Sequence, residues 1–505
     1  MKKQSKLACT LLILCTTFAW TGCSDDDDPI RNTPTPEPEV SKDLSLAWRD
    51  PIAADSAALL VPGENDTLVV RAANATALTL NEAAEGWKAV VKDDSLVIVT
   101  APAEVKGADK FDLTLTATGE GDKTLTLKAA FRRILFDDPK GVFVLNEGNM
   151  SNETGTLLYI TPEGELIDSI YARVNGSLLG NVTQDMKFYG DNVYFISQNG
   201  NKAPLGGEFQ TDGMLIIANR HTMKRVQAFT YEEMKDLKWP THIAVVDENT
   251  IFIRDSKGVW KFNPTSKELT FMEGSEKAVK QPFVVLQGKA FTFSSKQSGV
   301  SMSLLSFDAA STKATKVSVG YDFKKLNAIG YRDENSLYVA GVFDYLRQPH
   351  LCCFNFDGSR LAEDGNVYIG APIESRNGFA SSWFTSKDDE VYYLVGSMLS
   401  HVTYKAGEKL KPKTKGPDDD SKTFKASYED ELLGVYDLGD NASIIYNGVA
   451  IHPVTGEIYL NTLKGFGENY KTNNIWRIDP EKKVSTRTWE NHTAFPAGIF
   501  FNPQK

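Results

Sequence analysis

The chain has 505 residues, 24% of them charged and 41% hydrophobic, with a formal net charge of −11. That acidic balance excludes nucleic acid as a partner, because phosphates need a basic footprint. Beyond the first two dozen residues, no segment is apolar for long enough to cross a bilayer of about 30 Å as a helix.

Lys2, Lys3 and Lys6 precede a short apolar run from Leu7 to Phe18, which ends at Trp20-Thr21-Gly22-Cys23. This pattern reads as a signal peptide over residues 1–22, cut before a cysteine that carries the lipid. The leader holds three lysines and no acid, so its removal takes the net charge to −14. Asp25 to Asp28 repel one another and cannot pack, which makes them extended and solvated. A serine and an acidic run directly after Cys23 resemble the export signal of Bacteroidetes lipoproteins. The resemblance implies lipid anchoring in the outer membrane and display at the cell surface. Pro34, Pro36 and Pro38 then favour an extended polyproline conformation, so residues 23–43 read as a lipidated tether.

Residues 44–134 read as a small all-β domain. Trp87 to Val91 and Leu96 to Thr100 flank a tight Asp93-Asp94 turn, and Phe111 to Thr116 alternates strictly before a turn at Gly119 to Asp122. Short strands at this spacing predict an immunoglobulin-like sandwich that acts as a spacer.

Residues 135–505 carry a repeat. One unit runs from Pro240 through His242-Ile243-Ala244-Val245, Ile251 to Arg254 and Val259 to Phe262, and ends at Leu269-Thr270-Phe271. Partial copies start near Met186, Pro282, Leu326, Ser382 and Asn447. Four-stranded units about fifty residues apart predict a β-propeller. Pro496 to Phe501 matches a first strand with nothing after it. Val142 to Leu145, Leu157 to Ile160 and Leu166 to Ile170 match the other three strands. Joined, the two ends complete a seventh blade, so the fold class is all-β: a sandwich followed by a seven-bladed propeller closed by pairing of its terminal strands.

In such a ring the loops between second and third strands, and between successive blades, open on one face and build the site. They carry Asn149, Gln198, Asn199, Trp239, Arg254, Tyr345, Arg347, Trp383, Phe466 and Tyr470 as candidate ligand-binding residues. Amides and aromatics of this kind hold a large, partly flat, partly polar ligand by hydrogen bonds and stacking. Trp383 sits on a predicted strand and fits a core position equally well. The six histidines show no metal-ligand spacing, and His242 and His452 fall at similar places in the repeat, as packing residues would. No nucleophile elbow or phosphate loop occurs, so the chain reads as a non-enzyme without a cofactor. Asp418 to Asp420, in an insert after Lys409, Lys411, Lys413 and Lys415, reads as a solvated loop. After the leader only Cys352 and Cys353 remain besides Cys23; adjacent residues of a strand point to opposite faces, which disfavours a mutual disulfide.

Val142-Phe143-Val144-Leu145-Asn146-Glu147-Gly148-Asn149, with Gly155-Thr156-Leu157 and Gly190 to Tyr194, resembles the opening of the YncE-like (YVTN-type) propellers of Bacteroidetes surface lipoproteins. That group includes the BtuG type, which captures cobalamin on a propeller face and hands it to a TonB-dependent outer-membrane transporter. The resemblance implies a corrinoid or related large ligand and a transporter partner. The sandwich and the insert near Lys405 to Glu431 depart from the compact BtuG arrangement. A glycan-binding or adhesive module is the alternative, and a propeller lyase or lactonase has no acid–base pair to support it.

Overall fold

The computed structural model describes residues 43–53, 56–202, 209–295, 302–319, 323–343, 349–369, 372–373, 384–407, 429–442, 444–465 and 467–503. The leader, Cys23 and almost all of the tether lie outside the described residues, as do the Asp418 to Asp420 insert and its lysines.

Two four-stranded sheets form the amino-terminal part. One runs Ser45–Trp48, Asn65–Ala73, Leu96–Thr100, Lys88–Lys92, and the other Ala58–Leu60, Thr124–Arg133, Lys110–Gly119, Ala75–Leu80. Strict alternation puts Val97, Val99, Leu113 and Leu115 on the inner faces, where they meet Trp87, Phe111 and Phe131 in one core. Asp93 and Asp94 both take positive φ (51° and 49°), the primed hairpin geometry that matches strand twist.

The described residues of 142–501 form seven further sheets, each of four antiparallel strands. Six are simple meanders, such as His242–Asp247, Thr250–Arg254, Val259–Asn263 and Glu268–Phe271. The remaining sheet mixes the two ends of this region: Leu166–Ile167, Thr156–Ile160, Val142–Asn146 and then Pro496–Phe501. The first strands of successive sheets touch in turn, and Pro496–Phe501 touches both Ile444–Ile451 and Asn181–Tyr189.

Between neighbouring sheets lie seven apolar layers, which explains the nearly unbroken apolar runs of the inner strands. A strand covered on both faces gains from burying every residue, and not only alternate ones. Phe143, Leu145, Leu157 and Tyr159 face the Asn181–Tyr189 sheet, while Val142, Val144, Leu158 and Ile160 face Tyr459, Ile475 and Trp489. Cys352 and Cys353 likewise enter different layers, one with Leu337 and Val339, the other with Tyr338 and Tyr393. Both are free and buried. The whole is all-β and propeller-like, with the amino-terminal sheets packed against it through Val61, which joins Ile134, Phe136 and Phe143 in one core.

Two local expectations change. Only Leu166–Ile167 is strand; Ile170–Asn175 is a helix, because Ile170 and Tyr171 turn into the core and Gly176 (φ 63°) ends the turn. His242 begins its inner strand, whereas His452 follows the end of Ile444–Ile451, so the two are not equivalent. The repeat register slips because Ile444–Ile451 carries a bulge between Ile445 and Val449.

Candidate functional site

First strands begin, and second strands end, on the same face of the seven sheets. Irregular backbone gathers there. Register shifts mark the starts of Asn181–Tyr189, Phe323–Asp333, Ile444–Ile451 and Pro496–Phe501. Val182, Trp239, Asn447 and Phe495 all take left-handed φ, between 44° and 56°. Such backbone is costly for residues with a Cβ and persists where it aims side chains at a site.

The centre of this face is polar and buried. Glu147 follows the Val142–Asn146 strand, and its amide is held by the Phe495 carbonyl at 2.8 Å. Its Oε1 accepts from Asn447 Nδ2 at 3.1 Å and from the Tyr446 hydroxyl at 3.5 Å, and the Gln184 amide lies against the same carboxyl. Burial raises the Glu147 pKa to about 7, opposed by Lys280 and these hydrogen bonds. Gly148 (φ 75°) lets the chain turn directly after Glu147, where a Cβ would meet the Thr154 carbonyl. Asp185 is also buried and raised; it accepts from the Ile243 amide at 3.0 Å and pairs with Lys187 at 3.2 Å.

The third sheet supplies the next group. His242 Nδ1 meets Thr241 Oγ1 at 3.0 Å, and Arg254 Nη1 donates to the same hydroxyl at 3.2 Å while its Nε donates to the Ala278 carbonyl at 3.0 Å. Burial lowers the Arg254 pKa to about 10 and lowers that of Lys280. Burial, with Lys280, Lys187 and Arg254 around it, pushes His242 well below the usual histidine range, so it is neutral.

Three of the residues singled out from sequence join one hydrogen-bonded line. Asn199 Nδ2 donates to Asn181 Oδ1 (2.8 Å), Asn181 Nδ2 to the Asn149 carbonyl (2.8 Å), and Asn149 Nδ2 to the Tyr470 hydroxyl (2.9 Å). Tyr470 stacks on Phe495, with ring centres 5.2 Å apart and planes at 14°. A cleft of about 450 Å³ opens beside this line, lined by Gly148, Asn152, Glu153, Phe209, Lys471 and His492 among others. Gln198 is buried at the end of Asn192–Gly200, and Trp239 is 61% exposed on the loop before His242. Arg254 joins the group around His242 instead of the amide line. Tyr345, Arg347, Trp383 and Phe466 lie outside the described residues.

Sequence reading missed Asn181, Gln184, His242, Lys280, Tyr446 and Asn447. Asn181 and His242 open a first strand, Gln184, Tyr446 and Asn447 lie within the first four residues of one, and Lys280 lies four residues before one, positions that look like ordinary strand ends in a repeat. Glu147 lay inside the quoted Asn-Glu-Gly-Asn segment, and its burial was the missing cue. Among the described residues no group of three metal-ligating side chains occurs, and no helix is long and apolar enough to cross a membrane.

No curated protein sequence matches the chain. Among solved structures it is similar to a quinonprotein alcohol dehydrogenase-like protein from Bacteroides thetaiotaomicron, at 11% identity and a TM-score of 0.52, over 90% of this chain and 99% of that one. A protein from Lactobacillus plantarum is similar at 8% identity and a TM-score of 0.38, over 72% of this chain and 99% of that one. Identities this low bear on the fold alone, which the first likeness supports as propeller-like. The family described as Domain of unknown function (DUF5074) matches residues 140–502. That span is well over half of the sequence and takes in all seven carboxy-terminal sheets, and the chain therefore belongs to the DUF5074 family.

Proposed function

We propose that this chain is a lipid-anchored surface protein that captures a large, polar nutrient on one face of a seven-bladed propeller. The amino-terminal sheets, read as an immunoglobulin-like sandwich, would hold that face away from the membrane, with the lipid at Cys23. The observation that carries the reading is the Asn199–Asn181–Asn149–Tyr470 line beside the cleft, with Glu147 behind it. Amide donors and acceptors held in place by one another bind without further ordering, which favours tight capture. A corrinoid, whose rim carries amides around a flat ring, is the ligand that best fits this chemistry. A TonB-dependent outer-membrane transporter is the partner to which it would be passed.

Titration of the full chain with cyanocobalamin by calorimetry tests this. Binding at micromolar concentration or tighter, weakened at least tenfold in Tyr470→Ala, supports it. An absence of heat overturns the corrinoid assignment. The exposed Trp239 also suits stacking on a sugar ring. A glycan array that lights up with wild type and not with Trp239→Ala would favour the glycan-binding alternative.

A further inference from the structure

We infer that Arg254, Lys280 and His242 form an anion subsite that takes a carboxylate or phosphate group of the ligand. The inference rests on the reading of this face as a ligand face, though not on the ligand being a corrinoid.

Arg254 and Lys280 repel one another in half-buried positions; Asp255 acts on the first and Glu147 on the second, yet no carboxylate among the described residues lies within salt-bridge distance of either. Two desolvated cations side by side are unfavourable unless an anion joins them. Arg254 is fixed by its Nε bond to Ala278 and its Nη1 bond to Thr241, which leaves Nη2 unused; the Lys280 ammonium makes no hydrogen bond to the described residues.

His242 supplies the independent observation. It is 2% exposed, and its Nε2 has no hydrogen-bond partner among the described residues. Thr241 Oγ1 already accepts from Arg254, and Thr241 is itself buried, so its proton needs an acceptor. Nδ1 of His242, at 3.0 Å, is that acceptor. The neutral ring then carries its proton on Nε2, a buried donor without an acceptor. Leaving such a donor unpaired is costly, and an oxyanion satisfies it together with both cations.

The test uses the full chain at fixed ionic strength, titrated with inorganic phosphate and, separately, with succinate. Saturable binding of either probe is expected, with the tighter one identifying the class of anion. Lys280→Met should weaken it at least tenfold, and Arg254→Gln likewise. Lys277→Met, which removes an exposed charge nearby, should leave it unchanged. Lys280 makes no hydrogen bond to the described residues, so K280M carries the test even where R254Q melts. Imidazole NMR gives a second readout: a protonated Nε2 in the free protein, shifting when the anion is added. No saturable binding of either probe, or equal weakening in K277M, overturns the subsite. Cyanocobalamin binding that persists without anion binding removes this inference alone. Anion binding without corrinoid binding removes only the corrinoid assignment.

Discussion

Val144 pairs with Ile499, joining the first strand of the seven-sheet region to its last. The register continues through Phe143 with Phe500 and Val142 with Phe501, and Pro496 to Ile499 are buried. Deleting residues 496–505 would therefore uncover the inner edge of one sheet and open two apolar layers at once. Each large apolar side chain exposed costs roughly 1.5–3 kcal/mol. The sum rivals the whole stability of a typical domain, about 5–15 kcal/mol. The truncated chain should lose its cooperative thermal transition and become protease-sensitive throughout the seven sheets, not only at its end. A trim restricted to Gln504 and Lys505 should leave the melting curve unchanged.

Glu147 predicts a pH dependence of stability. Its carboxyl has a folded pKa near 7 against about 4.5 in the unfolded chain, so between those values the folded state binds more protons. Stability from this group is thus full below pH 4.5, falls as pH rises to 7, and stays reduced above it. Asp185 acts in the same direction, while neutral His242 favours the folded state as pH rises through its unfolded value. Glu147→Gln isolates the first term. Relative to wild type, the variant should gain on the order of 3 kcal/mol between pH 4 and pH 8, measured by urea unfolding. A constant difference across that range would contradict the burial argument.

The architecture was legible because its causes are local and repeated. Leu157-Leu158-Tyr159-Ile160 is apolar throughout since two layers cover it, and Asp93-Asp94 marks a hairpin through its own chemistry. The site was legible only in part. Asn149, Asn199 and Tyr470 stood out as polar or aromatic residues in long loops. His242 and Lys280 did not, because their meaning comes from Arg254, which lies opposite His242 on the neighbouring strand and whose charge acts on Lys280. Nor could sequence show the bulge at Asn447 that turns its amide onto Glu147.

Tyr470 offers a graded test of the amide line. Tyr470→Phe keeps the stack on Phe495 and loses the hydroxyl, with its bond from Asn149, a cost of about 1 kcal/mol, and its contact with Lys471. Tyr470→Ala forfeits the stack as well, adding roughly 0.5–1.5 kcal/mol. Both changes act at the rim of the face, so they should appear as faster amide exchange over 149–153 and 467–472. The global melting temperature should move little. Equal exchange in the two variants would mean that the hydroxyl, and not the stack, holds the loop; wild-type exchange in Tyr470→Phe would mean the reverse.

Arg173 and Glu64 tie the amino-terminal sheets to the rest. Arg173 Nε and Nη2 meet the two carboxylate oxygens of Glu64 at 2.8 and 2.7 Å, a forked pair that is only partly exposed, and Nη2 also reaches the Leu59 carbonyl. The same carboxylate accepts from the Val61 amide, and Val61 itself is fully buried against Ile134 and Phe136. Charge-assisted bonds of this kind are worth about 1.5–3 kcal/mol. Arg173→Ala should loosen the joint by that order, and Val61→Asp should break it by placing an unpaired charge in the shared core. The two parts have separate apolar cores, so loss of the joint should not unfold either. The expected calorimetric result is one thermal transition in wild type and two in Val61→Asp, the earlier from the small sandwich-like part. A single transition shifted as a whole would instead mean that the two parts fold as one cooperative body.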